Sequence, residues 1–282
     1  MQCKAEILSM KKIYTLFLSS LLAITISAQT YEDMVSRAMD YIDQKDYAAA
    51  EQAMKAALRK EPANPNNVML MVNLGTIQRN LGQYEEALVS YDVAIERYPD
   101  RAFLRQSRAA LYCDMERFDD AMKDYNTILL SDPEDIEALY RRGLLQLNSK
   151  NLFAAEEDFD KILKKSPENL RGKMGLALIM KRRGEFKEAE ELYSDLIYKH
   201  RSNADLYFNR AECYLQLDKL SRTQDDIAKA LDLGYNEPLI YILRGQLRLA
   251  QYEKRLAKED FLKAQEMGVN EAIVNDFLRL CN

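Results

Sequence analysis

The chain predicts an all-α fold built from antiparallel helix pairs, and three observations carry that expectation. First, the pattern of Ile136–Asn169 recurs along the chain every 34 residues, with Pro99, Pro133 and Pro167 in register. Second, only small residues stand at position eight of each repeat: Ala38, Gly75, Ala109, Gly143, Ala177, Ala211 and Gly245. Third, position twenty is Ala50, Ala87, Ala121, Ala155, Ala189, Thr223 and Ala257, while position twenty-four is Met54, Tyr91, Tyr125, Phe159, Tyr193, Ile227 and Phe261. Small against large at fixed offsets lets one helix approach another closely, so each repeat reads as two packed helices.

Taken in order, the chain begins with Lys11 and Lys12 before an apolar run, Ile13 to Ile26, that ends in Ser27-Ala28. This predicts a signal peptide over residues 1–28, cleaved after Ala28. The alternative is a membrane anchor, but the run is short of a span and carries Ser19, Ser20, Thr25 and Ser27. Met10 makes a more natural start than Met1, and no cysteine stands at the cleavage point to take a lipid. The mature protein is therefore expected in the periplasm or secreted, without stable membrane insertion.

Seven units follow, at 31–64, 68–101, 102–135, 136–169, 170–203, 204–237 and 238–271, with one insertion at Pro65–Asn67. Within the fourth, Leu139, Tyr140, Gly143, Leu144 and Leu147 keep a helical period, as do Leu152, Ala155, Phe159 and Ile162, around a turn at Ser149–Asn151. Residues 272–282 place Ile273, Val274, Phe277, Leu278 and Cys281 on one face of a short helix, expected to cap the last unit.

These residues resemble the tetratricopeptide repeat, with its small residues at eight and twenty, aromatic at twenty-four, alanine at twenty-seven and proline at thirty-two. Ala57, Ala94, Ala230 and Ala264 match at twenty-seven, and Pro62, Pro99, Pro133 and Pro167 at thirty-two. Arg201, Tyr235 and Val269 replace the proline in the last three units, where Gly234 and Gly268 offer helix stops. The resemblance implies an α-solenoid, a right-handed superhelix of helix pairs.

Composition narrows function by exclusion. The net charge of −5 becomes −7 once residues 1–28, with three lysines and one glutamate, are removed, which is no footprint of a nucleic-acid binder. Mature Cys113, Cys213 and Cys281 are odd in number and widely spaced, so no disulfide framework is expected. The single histidine, His200, has no neighbouring acid or thiol in the sequence, and no cluster has metal-ligand spacing. No enzyme activity, cofactor or metal is predicted.

Arginine recurs at position seven as Arg37, Arg108, Arg142, Arg210 and Arg244, while aspartate recurs at position twenty-three as Asp124, Asp158, Asp226 and Asp260. The two types occur together within units, Arg37 with Ala53 being the exception, so structural ion pairs Arg108–Asp124, Arg142–Asp158, Arg210–Asp226 and Arg244–Asp260 are expected. The resemblance further implies that positions two, five, nine and twelve line a concave face. Those residues are Glu137, Tyr140, Leu144 and Leu147, then Arg171, Met174, Leu178 and Lys181, then Asp205, Phe208, Glu212 and Leu215. An apolar, aromatic floor with charged edges suits a protein or peptide partner. A carboxylate clamp for acidic tails is disfavoured, because Val72, Thr76, Ser107 and Glu137 stand where its ligands would be and only Arg141 fits. The expected function is an interaction scaffold, the alternative a fixed subunit of an envelope assembly held by its convex face or terminal helix.

Overall fold

The computed structural model describes residues 30–281, so the predicted signal segment lies outside the described residues. Among those described there are fifteen helices and no strand. The chain divides into two compact units, one up to Asp124 and one from Tyr125. The first unit holds α1 (Tyr31–Asp43), α2 (Tyr47–Lys60), α3 (Asn67–Asn80), α4 (Tyr84–Arg97) and α5 (Ala102–Asp114). Helix α6 (Phe118–Ser131) contains the division. The second unit continues with α7 (Ile136–Asn148), α8 (Leu152–Lys165), α9 (Leu170–Arg183), α10 (Phe186–Lys199), α11 (Ala204–Gln216), α12 (Leu220–Asp232), α13 (Leu239–Ala250), α14 (Lys254–Glu266) and α15 (Glu271–Leu280).

Local chemistry sets the helix ends. Thr30 and Asp33 close a capping box on α1, and Asp46, Asp135, Asn151, Asn169, Asn203 and Asn270 each accept a backbone N–H at a later helix start. The turn inside each pair holds a left-handed residue at position fifteen of its repeat: Lys45, Gly82, Glu116, Lys150, Gly184, Asp218 and Tyr252. Gly234 and Gly268 are also left-handed, one residue beyond the C-caps of α12 and α14. Within α13 and α14, Arg244 bonds Asp260 while Arg248, one turn later, donates to the carbonyl of Leu256, one turn earlier. The two helices therefore run in opposite directions.

In the first unit, Tyr31, Ala38, Ala50, Met54, Leu70 and Leu74 form one core cluster and Val72, Ala87, Tyr91, Leu104 and Leu111 another. The inserted Pro65–Asn67 is locked down by Asn67, which is fully buried, accepts from the Tyr31 hydroxyl at 3.0 Å and donates to the carbonyl of Glu61 at 2.7 Å. Both of its polar ends are satisfied, which is what makes a buried amide tolerable.

In the second unit, Ala177, Ala189, Tyr193, Leu206, Ala211, Ile227 and Leu243 share one core, and Ile242, Phe261 and Val274 another. Close approach explains its glycines. A Cβ on Gly143 would lie 2.6 Å from the Phe159 ring, and one on Gly175 would also strike that ring, so Phe159 is clasped between α7 and α9. Helix α15 lies on α14 through Phe277, stacked on Phe261 at 5.0 Å, and through fully buried Val274. Ile273 departs from the expected apolar face and is 53% exposed.

Candidate functional site

Four of the five arginines of position seven are held by paired hydrogen bonds. Arg108, Arg142 and Arg210 each donate through Nε and Nη2 to both oxygens of Asp124, Asp158 and Asp226, at 2.6–2.8 Å. Arg244 reaches Asp260 in the same way, at 2.6–3.0 Å. All four aspartates are buried, and their hydrogen bonds hold the Arg108, Arg142 and Arg244 guanidiniums above their ordinary pKa; for Arg210 burial is the largest single effect and opposes this, but the Asp226 hydrogen bond and the Asp226 charge together still raise it. The remaining nitrogen, Nη1, reaches back to the preceding helix pair: to Asp92 from Arg108, Asn126 from Arg142 and Ser194 from Arg210. This second link escaped the sequence reading because its acceptor, at position twenty-five, changes chemical type. Ala228 stands there before Arg244, and Arg248 shares Asp260 instead. Arg37, opposite Ala53, is exposed.

The residues expected on a concave face divide into four groups. Glu137 accepts from Arg141 at 2.8 Å and pairs with Arg171, whose guanidinium lies 5.6 Å from the Tyr140 ring centre, so these charges are largely satisfied within the chain. Leu144 is half-buried, and Met174 packs against the core rather than standing free. Leu178, Phe208 and Glu212 share a groove of about 480 Å³ on α9 and α11, closed at its sides by Phe186 and Leu239. Asp205 is exposed and borders a separate, polar cavity of about 830 Å³ along Tyr198–Ala204, which includes His200.

Phe208 requires a correction. As a free aromatic anchor it should project outward, but it is 7% exposed and stacks on Tyr235, ring centres 4.7 Å apart. It forms a wall of the groove, not a plug for a partner's pocket. Tyr235 is the residue that replaces proline at position thirty-two, and filling that place with a ring is what covers Phe208. Burial and the nearby carboxylates of Asp205, Glu237 and Glu212 all push its phenol upward.

Polar groups within the groove are ordered. Lys181 donates to Asn209 Oδ1 at 2.8 Å and pairs with Glu212, while Asn209 Nδ2 donates to the Asp205 carbonyl at 2.8 Å. Beneath it, Tyr193 is fully buried with its hydroxyl unpartnered. Burial raises that phenol well above its usual range, so the hydroxyl keeps its proton. Burial likewise pushes the Cys213 thiol up to about 12, which leaves it inert near neutral pH. The sequence reading missed Asn209 and Leu239; extending the position-two rule into the last unit would have found Leu239.

Among the described residues, no cluster of histidine, cysteine, aspartate or glutamate is arranged to hold a metal, and no helix is long and apolar enough to cross a membrane. The arrangement offers apolar surface and fixed charges.

Residues 35–102, 107–170 and 174–234 match the tetratricopeptide repeat family. The fold is similar to the crystal structure of a tetratricopeptide repeat protein from Parabacteroides merdae ATCC 43184, at 40% identity over 90% of this chain and 99% of that one, with a TM-score of 0.76. It is also similar to PilW, a type IV pilus biogenesis factor, at 16% identity over 77% of this chain and 98% of that one, TM-score 0.59, a likeness of fold alone. Among curated proteins, RNA polymerase II-associated protein 3 of Xenopus tropicalis is 36% identical over 80 residues, which are 28% of this chain and span 12% of that relative's length. With its helix pairs, its small-against-large packing and these matches, the chain belongs to the tetratricopeptide repeat family.

Proposed function

We propose that this protein is an exported, non-enzymatic scaffold that holds a segment of a partner protein in the groove on α9 and α11. The observation that carries this reading is the groove itself: about 480 Å³, lined by apolar Leu178 and Phe208 together with charged Lys181 and Glu212. Apolar floors with a few fixed polar groups are where partner side chains gain most from burial. Export is supported by the apolar run Ile13–Ile26 behind Lys11 and Lys12. It predicts a mature protein that begins at Gln29, which terminal sequencing of the envelope fraction checks.

The groove is tested by placing a photocrosslinking residue at Leu178 and, separately, at the exposed Phe153 of α8, in cells. A specific crosslinked species from position 178 but not 153 supports groove binding; the reverse pattern sinks it. The rival reading, a fixed envelope subunit attached through its last helix, has its own support in Ile273 and Leu280, both more than half exposed on α15. Replacing both with serine leaves the packed Val274 and Phe277 in place. Loss of assembly with retained folding would favour that rival.

A further inference from the structure

The groove is not electrically uniform. Its lysine is neutralised, because Lys181 pairs with Glu212 and bonds Asn209. Arg182 lines the groove at the C-terminal end of α9, is exposed, and forms no ion pair with any described residue. Just outside the groove's lining, Asp205 lies one turn before Phe208 on α11 and Glu237 two residues after Tyr235, and both carboxylates act on the Tyr235 phenol, whose ring stacks on Phe208. Both carboxylates are exposed and neither has an ion-pair partner among the described residues. Leu239, also on the groove, is 54% exposed and adds apolar surface to Leu178 and Phe208.

Resting on the groove being the binding site, we propose that it accepts a partner segment in one direction only. An apolar residue sits on Leu178, Phe208 and Leu239, a basic residue faces Asp205 and Glu237, and an acidic residue faces Arg182. Charges of opposite sign contribute orientation and rejection of the reversed segment more than raw affinity.

The test is selection of displayed random eight-residue peptides on the mature chain and on a variant combining Asp205→Lys and Glu237→Lys, with circular dichroism to verify that the variant folds. Wild type should enrich lysine or arginine on one side of an apolar residue and glutamate or aspartate on the other, in one order, by about tenfold over the reverse order. The variant should enrich acidic residues where wild type took basic ones. Enriched peptides without a charge order, or with the same order on both proteins, overturn the polarity and leave the groove reading standing. No enrichment that Leu178→Asp abolishes overturns both.

Discussion

Tyr91 and Tyr193 stand at the same place in their repeats, one in each compact unit, yet their hydroxyls meet different fates. Both rings are buried against a small residue at position eight, Gly75 and Ala177. The Tyr91 hydroxyl lies 3.0 Å from Thr76 Oγ1, a hydrogen bond in which either group donates. At the corresponding position of the second unit stands Leu178, which cannot bond, and the Tyr193 hydroxyl is left alone. The difference separates packing from surface. Position twenty-four serves the core in both repeats, but position nine is free to serve the outside, and in the second unit it presents methyl groups to the groove at the expense of a hydrogen bond beneath.

The largest effect should be the same on both sides of the comparison. Tyr91→Ala and Tyr193→Ala each remove a fully packed ring and should destabilise their own unit by about 3–5 kcal/mol, read by chemical denaturation. Unequal losses would mean that the two positions are not equivalent in packing. Removing only the hydroxyls should split them. Tyr91→Phe should cost about 1 kcal/mol, since Thr76 keeps its bond to the Val72 carbonyl, whereas Tyr193→Phe should be neutral or stabilising by up to about 1 kcal/mol. A loss at Tyr193→Phe equal to that at Tyr91→Phe would show that its hydroxyl is in fact satisfied.

The smallest effect is expected at the surface of the second unit, and it separates exposed charge from the buried hydroxyl. Hydrogen bonds from Lys199 and Lys173 hold the Glu168 carboxyl at about 2. A depressed carboxylate contributes stability that is present above its ordinary range near 4.5 and is lost as pH falls through about 2. Because Glu168 is exposed, the expected readout is its own titration by NMR, with the midpoint moving upward in Lys199→Gln and overall stability hardly changing.

What could be read from sequence alone follows from how strongly each place restricts residue type. Positions eight, twenty and twenty-four tolerate only a narrow range of volumes, so Gly143, Ala155 and Phe159 announce their contacts. Arg142 and Asp158 occur together because a guanidinium without its carboxylate would be stranded against the helix pair. The left-handed residue at position fifteen left no such mark. Its backbone is fixed by the turn while its side chain points to water, so Lys150, Glu116 and the 91%-exposed Tyr252 are accommodated where Gly82 stands, at a backbone cost that glycine escapes. The Phe208–Tyr235 stack was hidden for a different reason. Tyr235 read only as a missing proline, and a lost helix stop says nothing about where the new ring goes.

The backward reach of a position-seven arginine couples the helix pair that carries it to the pair before it; α9 and α10, with Leu176 in that place, make no such link. Arg142 and Arg210 each fasten their own pair with two bonds and the previous pair with a third, so loosening one pair weakens the next. Arg244 has no such third bond, because Ala228 offers no acceptor, so α13 and α14 hold each other through Asp260 without that tie to the pair before them. Cooperative opening of the second unit should then start from its C-terminal end, with amide exchange fastest in α13–α15 and slowing toward α10, where Ser194 begins to hold.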